Sequence, residues 1–163
     1  MFLTPSTLPA RTLASIAAAS VAAVVFALIA QHGFGVKPCP WCVLQRGIFL
    51  IIAAVAGVGW LMKSSAGARK VALLLTLLIA VGGIAAAVFQ HQVAANLESC
   101  AMTFADRTIT ALNLEERLPY VFMVTASCAQ AAAYRLLGLP YEVWSGLLYA
   151  VMAVASFVAL RTR

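Results

Sequence analysis

The chain has 163 residues, 64% of them hydrophobic and 10% charged, with a net charge of +6. Soluble domains are about 45–50% apolar and about 25% charged, so a water-soluble globule of this length would lack the charge to cover its surface, and so apolar a chain is not a disordered one. Only 10 Gly and 6 Pro exclude collagen-like and mucin-like chains. The basic residues are too dispersed for a phosphate-tracking stripe, so nucleic acid is not expected as a partner. What remains is an all-α polytopic membrane protein.

A bilayer-crossing helix needs about 20 mostly apolar residues. Four runs qualify: 12–30, 43–62, 71–89 and 143–160. The second is interrupted only by Gln45 and Arg46 near its start. The alternative for the first run is a cleaved leader, since a basic residue precedes it. The run is long for a leader core, however, and three further spans make a leader unnecessary. Small residues recur in the spans: Ala17 to Ala19, Gly57 and Gly59, Gly82 and Gly83, Ala85 to Ala87. Such residues let backbones approach closely in lipid, which predicts a four-helix bundle forming a single integral membrane domain over 1–163.

The loops predict orientation. Arg11, Lys63, Arg69, Lys70, Arg161 and Arg163 fall on one side with no acid. Lys37, Arg46, Arg107, Arg117 and Arg135 are balanced on the other by Glu98, Asp106, Glu115, Glu116 and Glu142. The basic side is expected to be cytoplasmic, with both termini there. The loops at about 31–42 and 90–141 then face outward. Within the long loop, Ala105 to Leu118 reads as a short helix with Ile109, Leu112 and Leu118 on one side. It either lies flat on the membrane or packs as a lid.

The four cysteines, Cys39, Cys42, Cys100 and Cys128, all fall in the outward loops or at a span boundary on that side. An even number on one side points to oxidised pairs in an oxidising compartment. Cys39-Pro40-Trp41-Cys42 has the spacing of a redox-active dithiol, which closes a small, readily exchanged ring. Cys42 lies at the N-terminal end of the second span, where free N–H groups and the helix dipole favour a thiolate. Arg46 is one turn further on and shares its face. An arginine at that depth is costly and is a functional candidate; the alternative is one that snorkels to the interface. Cys100 and Cys128 are either a second exchanging pair or a structural staple. A four-cysteine zinc site is disfavoured because they lack the second knuckle spacing, so no metal is expected. Val43 after Cys42 excludes haem attachment.

Two pairs on one face can pass two electrons by thiol–disulfide exchange. No G-x-G-x-x-G fingerprint offers a nucleotide acceptor. A lipid-soluble quinone suits a dithiol at the bilayer surface, with Arg46 donating hydrogen bonds to its oxygen. His91, at the outward end of the third span, either hydrogen-bonds a quinone or takes up a proton there, or is an ordinary interfacial histidine in contact with water. His32 reads as an ordinary loop residue. Trp41 is expected either at the interface or against the quinone.

The stretch Cys39-Pro40-Trp41-Cys42-Val43-Leu44-Gln45-Arg46 ahead of a span resembles the signature of the DsbB family, the bacterial disulfide bond formation proteins B. Ala126-Ser127-Cys128-Ala129-Gln130, followed by Leu136-Leu137-Gly138-Leu139-Pro140, resembles that family's second loop as it returns to the last span. The resemblance covers nearly the whole chain. It implies an inner-membrane thiol oxidoreductase. Cys100, paired with Cys128, would exchange with a periplasmic DsbA-type dithiol. Cys128 would then exchange with Cys39, leaving Cys42 as a thiolate against a ubiquinone or menaquinone, with Arg46 beside it. The implied resting pairs are Cys39–Cys42 and Cys100–Cys128. The Pro-Trp between the first cysteines leaves the redox potential open. Proteins related to vitamin K epoxide reductase share this chemistry, but their quinone-side C-x-x-C belongs to the last span. The reading of another class is a four-span assembly or interaction factor with inert disulfides. A transporter is disfavoured, because no span carries a central acid or a broken-helix pattern.

Overall fold

The structure, a computed structural model, describes residues 8–62, 64–96 and 102–162. Lys63, Glu98 and Arg163 of the charge balance lie outside the described residues, as does Cys100. In chain order the helices are α1 (Leu8–Phe34), α2 (Pro40–Leu61), α3 (Ala66–Gln92), α4 (Phe104–Ala111), α5 (Leu114–Arg117), α6 (Pro119–Phe122), α7 (Cys128–Ala131) and α8 (Tyr141–Arg161). A 3-10 turn covers Ala94–Asn96, and a two-residue antiparallel pair, β1 (Arg135–Leu136) and β2 (Leu139–Pro140), precedes α8. Four of the helices, α1, α2, α3 and α8, are long and apolar enough to cross a membrane. They make the chain an all-α, multi-pass membrane protein.

Turn and cap residues fix several ends of the spanning helices. Gly35, at φ +67°, turns the chain out of α1, and Val36 N–H donates back to the Ala30 carbonyl at 3.1 Å. Such left-handed positions suit glycine, which has no Cβ to clash. Pro40 opens α2 in the first-turn position, where its missing N–H costs nothing. Ser65 caps α3 by accepting from Ala68 N–H at 3.3 Å.

The outer face of the bundle differs from that of a soluble one. Large apolar residues such as Val21, Ile51, Leu78, Val81, Val154 and Phe157 point outward, as lipid-facing residues do. Small residues recur along the buried seam, among them Ser20, Ala56, Gly59, Ala72, Thr76, Ala80, Gly83, Ala87, Ala153, Ser156 and Ala159, and larger ones such as Leu13, Ile52, Leu73 and Met152 fill the space between them. Close approach gives dispersion contact where lipid supplies no hydrophobic drive. Of the paired glycines, only one of each is used for contact. A Cβ on Gly59 would collide with Ala72 Cβ, and one on Gly83 would fall 2.8 Å from the Tyr149 ring. A Cβ on Gly57 or Gly82 would meet nothing within 4 Å among the described residues. Tyr149 stacks on Phe49 with ring centroids 4.3 Å apart, joining α8 to α2. α8 packs chiefly along α3 and more sparsely on α1.

The long connection between α3 and α8 departs from one sequence expectation. The helix expected over Ala105 to Leu118 stops at Ala111, because Asn113 adopts the left-handed conformation (φ 51°) that Asn tolerates. Ile109 is buried against Val43 and Phe122, whereas Leu112 and Leu118 are exposed. The stripe therefore splits into one packed residue and two outward ones. His32 also differs from expectation. It belongs to the last turn of α1 and stacks on Tyr120 at 4.0 Å, with Nε2 3.0 Å from the Tyr120 carbonyl oxygen.

Replacing Gly83 by Val should force the Tyr149 ring aside and destabilise the bundle by about 1–3 kcal/mol. Thermal unfolding in detergent should show a lower midpoint for Gly83→Val and little change for Gly82→Val. Equal midpoints would mean that the α3–α8 seam is looser than the Gly83–Tyr149 approach implies.

Candidate active site

Cys39 is the N-cap of α2, and its sulfur accepts from Cys42 N–H at 3.3 Å. The Cys39 carbonyl accepts from Val43 N–H, so the first turn is closed around the dithiol. Pro40 supplies the fixed φ of a first helical residue. The two sulfurs lie 2.9 Å apart. Trp41 is buried and tilts against Phe89 with centroids 4.8 Å apart. It therefore packs inside the protein and does not line the cavity described below.

The second loop reaches this turn through the backbone. Thr125 N–H and Ala126 N–H donate to the Pro38 carbonyl at 3.0 and 3.2 Å. Ser127 then caps α7, accepting from Gln130 N–H while Gln130 Oε1 accepts from Ser127 N–H. Cys128, the next residue, is thereby packed into the cluster that holds Cys39, Trp41, Ala94, Ala105 and Ala131. Cys39 is fully buried there. Hydrogen bonding with the Cys128 thiol, then with Cys42, together with burial, pushes its thiol above its ordinary range. Cys39 thus stands between two other thiols.

Beneath the dithiol is a chain of polar side chains. Gln90, on α3, donates from Nε2 to Cys42 Sγ at 3.3 Å and lies 3.6 Å from Cys39 Sγ. Its Oε1 accepts from Gln45 Nε2 at 2.7 Å. The Gln45 carbonyl accepts from Tyr149 OH at 2.9 Å. Charge developing on either sulfur meets a fixed N–H in a place where water is scarce. Sequence reasoning passed over Gln90. The signal was available: it extends the buried face Ala80, Gly83 and Ala87 at helical spacing, and a polar residue on such a face needs a partner.

Arg46 is 6% exposed, so it does not snorkel. Its Nη1 donates to Gln31 Oε1 on α1 at 2.5 Å and to the Val121 carbonyl at 2.9 Å. With Cys42, Gln45 and Gln90 it lines a cavity of about 470 Å³ between α1, α2 and α8. The other walls are apolar, among them Ala27, Phe49 and Leu148. Phe26, Leu147 and Val151 line the cavity and are also exposed, so it opens sideways at the depth of the spans. His91 is not part of the lining. It is directed to Glu142, its Nδ1 3.1 Å from Oε1, and Glu142 is the one that lines the cavity. Cys100 lies outside the described residues.

A four-helix membrane bundle with a dithiol capping one helix and a third thiol packed against it is a membrane thiol–disulfide protein. A family model described as "Disulfide bond formation protein DsbB" matches residues 9–159. A "Disulfide bond formation protein B" of Polaromonas sp. is 32% identical over 98% of this chain and 96% of its own length. A "Disulfide bond formation protein B 2" of Burkholderia lata is 36% identical over 88% of this chain and 84% of its own. The chain belongs to the DsbB family, and is a disulfide-forming membrane oxidoreductase.

The packing makes a direct prediction. With Cys42 and Cys100 both changed to Ser, mild oxidation should link Cys39 to Cys128 within one molecule. Peptide mapping without reductant should recover that bridge in most of the protein. Recovery of intermolecular dimers alone would show that Cys128 does not reach Cys39.

Proposed function

We propose that this protein reoxidises a periplasmic DsbA-type dithiol and delivers the electrons to a membrane quinone. It would act in the bacterial inner membrane with the dithiol end facing the periplasm and both termini in the cytoplasm. The observation that carries the reading is the shared wall: Cys42 and Arg46 line one apolar, laterally open cavity, while Cys39, one turn away, packs against Cys128. The basic residues Arg11, Arg69, Lys70 and Arg161 at the opposite end support the orientation.

The exchange steps follow from the order of the thiols. A thiolate of the incoming dithiol attacks the Cys100–Cys128 disulfide, and its second thiol completes the exchange, leaving Cys100 and Cys128 reduced. Cys128 as thiolate attacks the Cys39 sulfur of the Cys39–Cys42 disulfide. The Cys39–Cys42 bond breaks, a Cys39–Cys128 bond forms, and Cys42 leaves as a thiolate. Gln90 Nε2–H and the Arg46 charge are placed to stabilise that leaving group. Cys100 then attacks Cys128, restoring the outer disulfide and leaving Cys39 and Cys42 reduced.

The cavity suits a quinone headgroup. It is wide and mostly apolar, and one wall carries a fixed cation with hydrogen-bond donors. The Cys39–Cys42 pair would pass two electrons to a quinone bound there, which takes up two protons, so that the inner disulfide is restored and a quinol is formed. Arg46 would hold the headgroup oxygen, its guanidinium kept in place by Gln31 and the Val121 carbonyl. The exposed edge at Phe26, Leu147 and Val151 would pass the isoprenoid tail to lipid. The inert-disulfide alternative finds no support in a dithiol beside such a cavity.

The test is reduction of a short-chain ubiquinone or menaquinone by the purified protein, with a reduced DsbA-type protein as donor. Wild type should turn over catalytically, and Cys42→Ser and Cys100→Ser should lose turnover. Arg46→Gln should raise the quinone concentration for half-maximal rate about 10-fold or more, the size expected for one lost charge-assisted hydrogen bond. It should leave the thiol exchange with the donor intact. No turnover with either quinone would overturn the reading.

A further inference from the structure

The proposed reaction leaves a buried carboxyl unused. The Glu142 side chain is 3% exposed, in the first turn of α8. It is the one carboxyl among the described residues that line the cavity. Burying an ionisable group in a membrane bundle is costly and marks function by default. Its hydrogen-bond partner is His91 Nδ1 at 3.1 Å, and the His91 side chain is 55% exposed at the outer end of α3. The pair thus runs from an open surface into the cavity in two side chains. Either proton placement satisfies the bond, imidazole N–H to carboxylate or carboxyl O–H to the bare nitrogen, which is what a transfer pair requires.

We infer that His91 and Glu142 carry protons from the aqueous surface at the dithiol end to the acceptor in the cavity. The inference rests on the quinone reading and assigns a role that reading lacks. Protons have to accompany the electrons into the cavity. The donor dithiol gives up two protons in water, whereas an acceptor beside Cys42 needs two protons inside the bundle. His91 takes a proton at its exposed edge and passes one from Nδ1 to Glu142 Oε1. Glu142 releases one toward the cavity and is reloaded by His91, twice per electron pair. The other charged groups facing the cavity are Lys37 and Arg46, both cations. Tyr141 and the Cys42 thiol complete the titratable lining. Glu142 alone combines a carboxyl with a contact to an exposed imidazole.

Two measurements test it. In quinone-free protein, infrared difference spectra on acidification should contain a carboxyl band that Glu142→Gln removes. His91→Gln should shift that band, because it removes the carboxyl's partner. In single-turnover reduction of a short-chain ubiquinone, Glu142→Gln and His91→Gln should each slow quinol formation about 10-fold or more. The loss should fall on the rate at saturating quinone, not on affinity. Glu142→Asp or added formate should restore part of it. A band indifferent to His91→Gln, or full rates in both variants, overturns the inference. So does a defect confined to quinone affinity, which would make Glu142 a positioning residue. Wild-type protein that binds no quinone sinks the functional reading and this one with it. Wild type that binds and reduces quinone with the same rate as both variants sinks this inference alone.

Discussion

The carbonyl of Pro38 accepts two backbone N–H groups from the far loop, and the site depends on this junction. The bonds come from Thr125 and Ala126, three and two residues ahead of Cys128, and Pro38 is one residue ahead of Cys39. Loop sequences alone would leave Cys128 free to wander over the end of the bundle. The two bonds hold it to a small volume next to Cys39, the arrangement that raises effective concentration in thiol exchange. Being backbone bonds, they tolerate side-chain variation on both loops.

From that junction inward the site is built in layers of decreasing water. Cys128 is partly exposed, Cys39 is buried, and Cys42 faces an apolar cavity. Gln90 touches both inner sulfurs and is itself fixed by Gln45, which Tyr149 anchors through the backbone. Tyr149 needs the missing Cβ of Gly83 to occupy its place. A small residue at mid-span is thereby linked to the orientation of the dithiol through four contacts, each of fixed geometry.

Much of this was legible in the sequence. Hydropathy and charge were enough to find four spans, and the C-x-x-C at a span boundary was enough to find the dithiol, because both depend on local pattern. Arg46 was legible for the same reason: one cation at that depth needs a cause. What escaped was what the helices do to one another. Periodicity marks the face on which Gln90 lies, but not that two sulfurs stand opposite it. The contacts of His91 and His32 escaped for a related reason. Each is made with a residue far away in the chain, Glu142 for one and Tyr120 for the other. The break at Asn113 turned on a single residue's tolerance of positive φ, which a hydrophobic stripe does not report.

The uneven packing of α8 has a mechanical consequence. On its α3 side, Gly83 meets the Tyr149 ring, and a Cβ on Gly146 would lie 3.3 Å from Ala87 Cβ, so that seam cannot slide without collision. On its α1 side the cavity intervenes, and contact is sparse. If a bulky lipid were to pass between α1 and α8, it would part the sparser of the seams that α8 makes, the one walled by α1. Gln31 rides on that wall and holds Arg46, whereas Gln90 rides on the rigid one and holds the sulfurs. Swinging of the doorway would thus be felt by the cation before the thiols, and the dithiol would keep its geometry while the door is open.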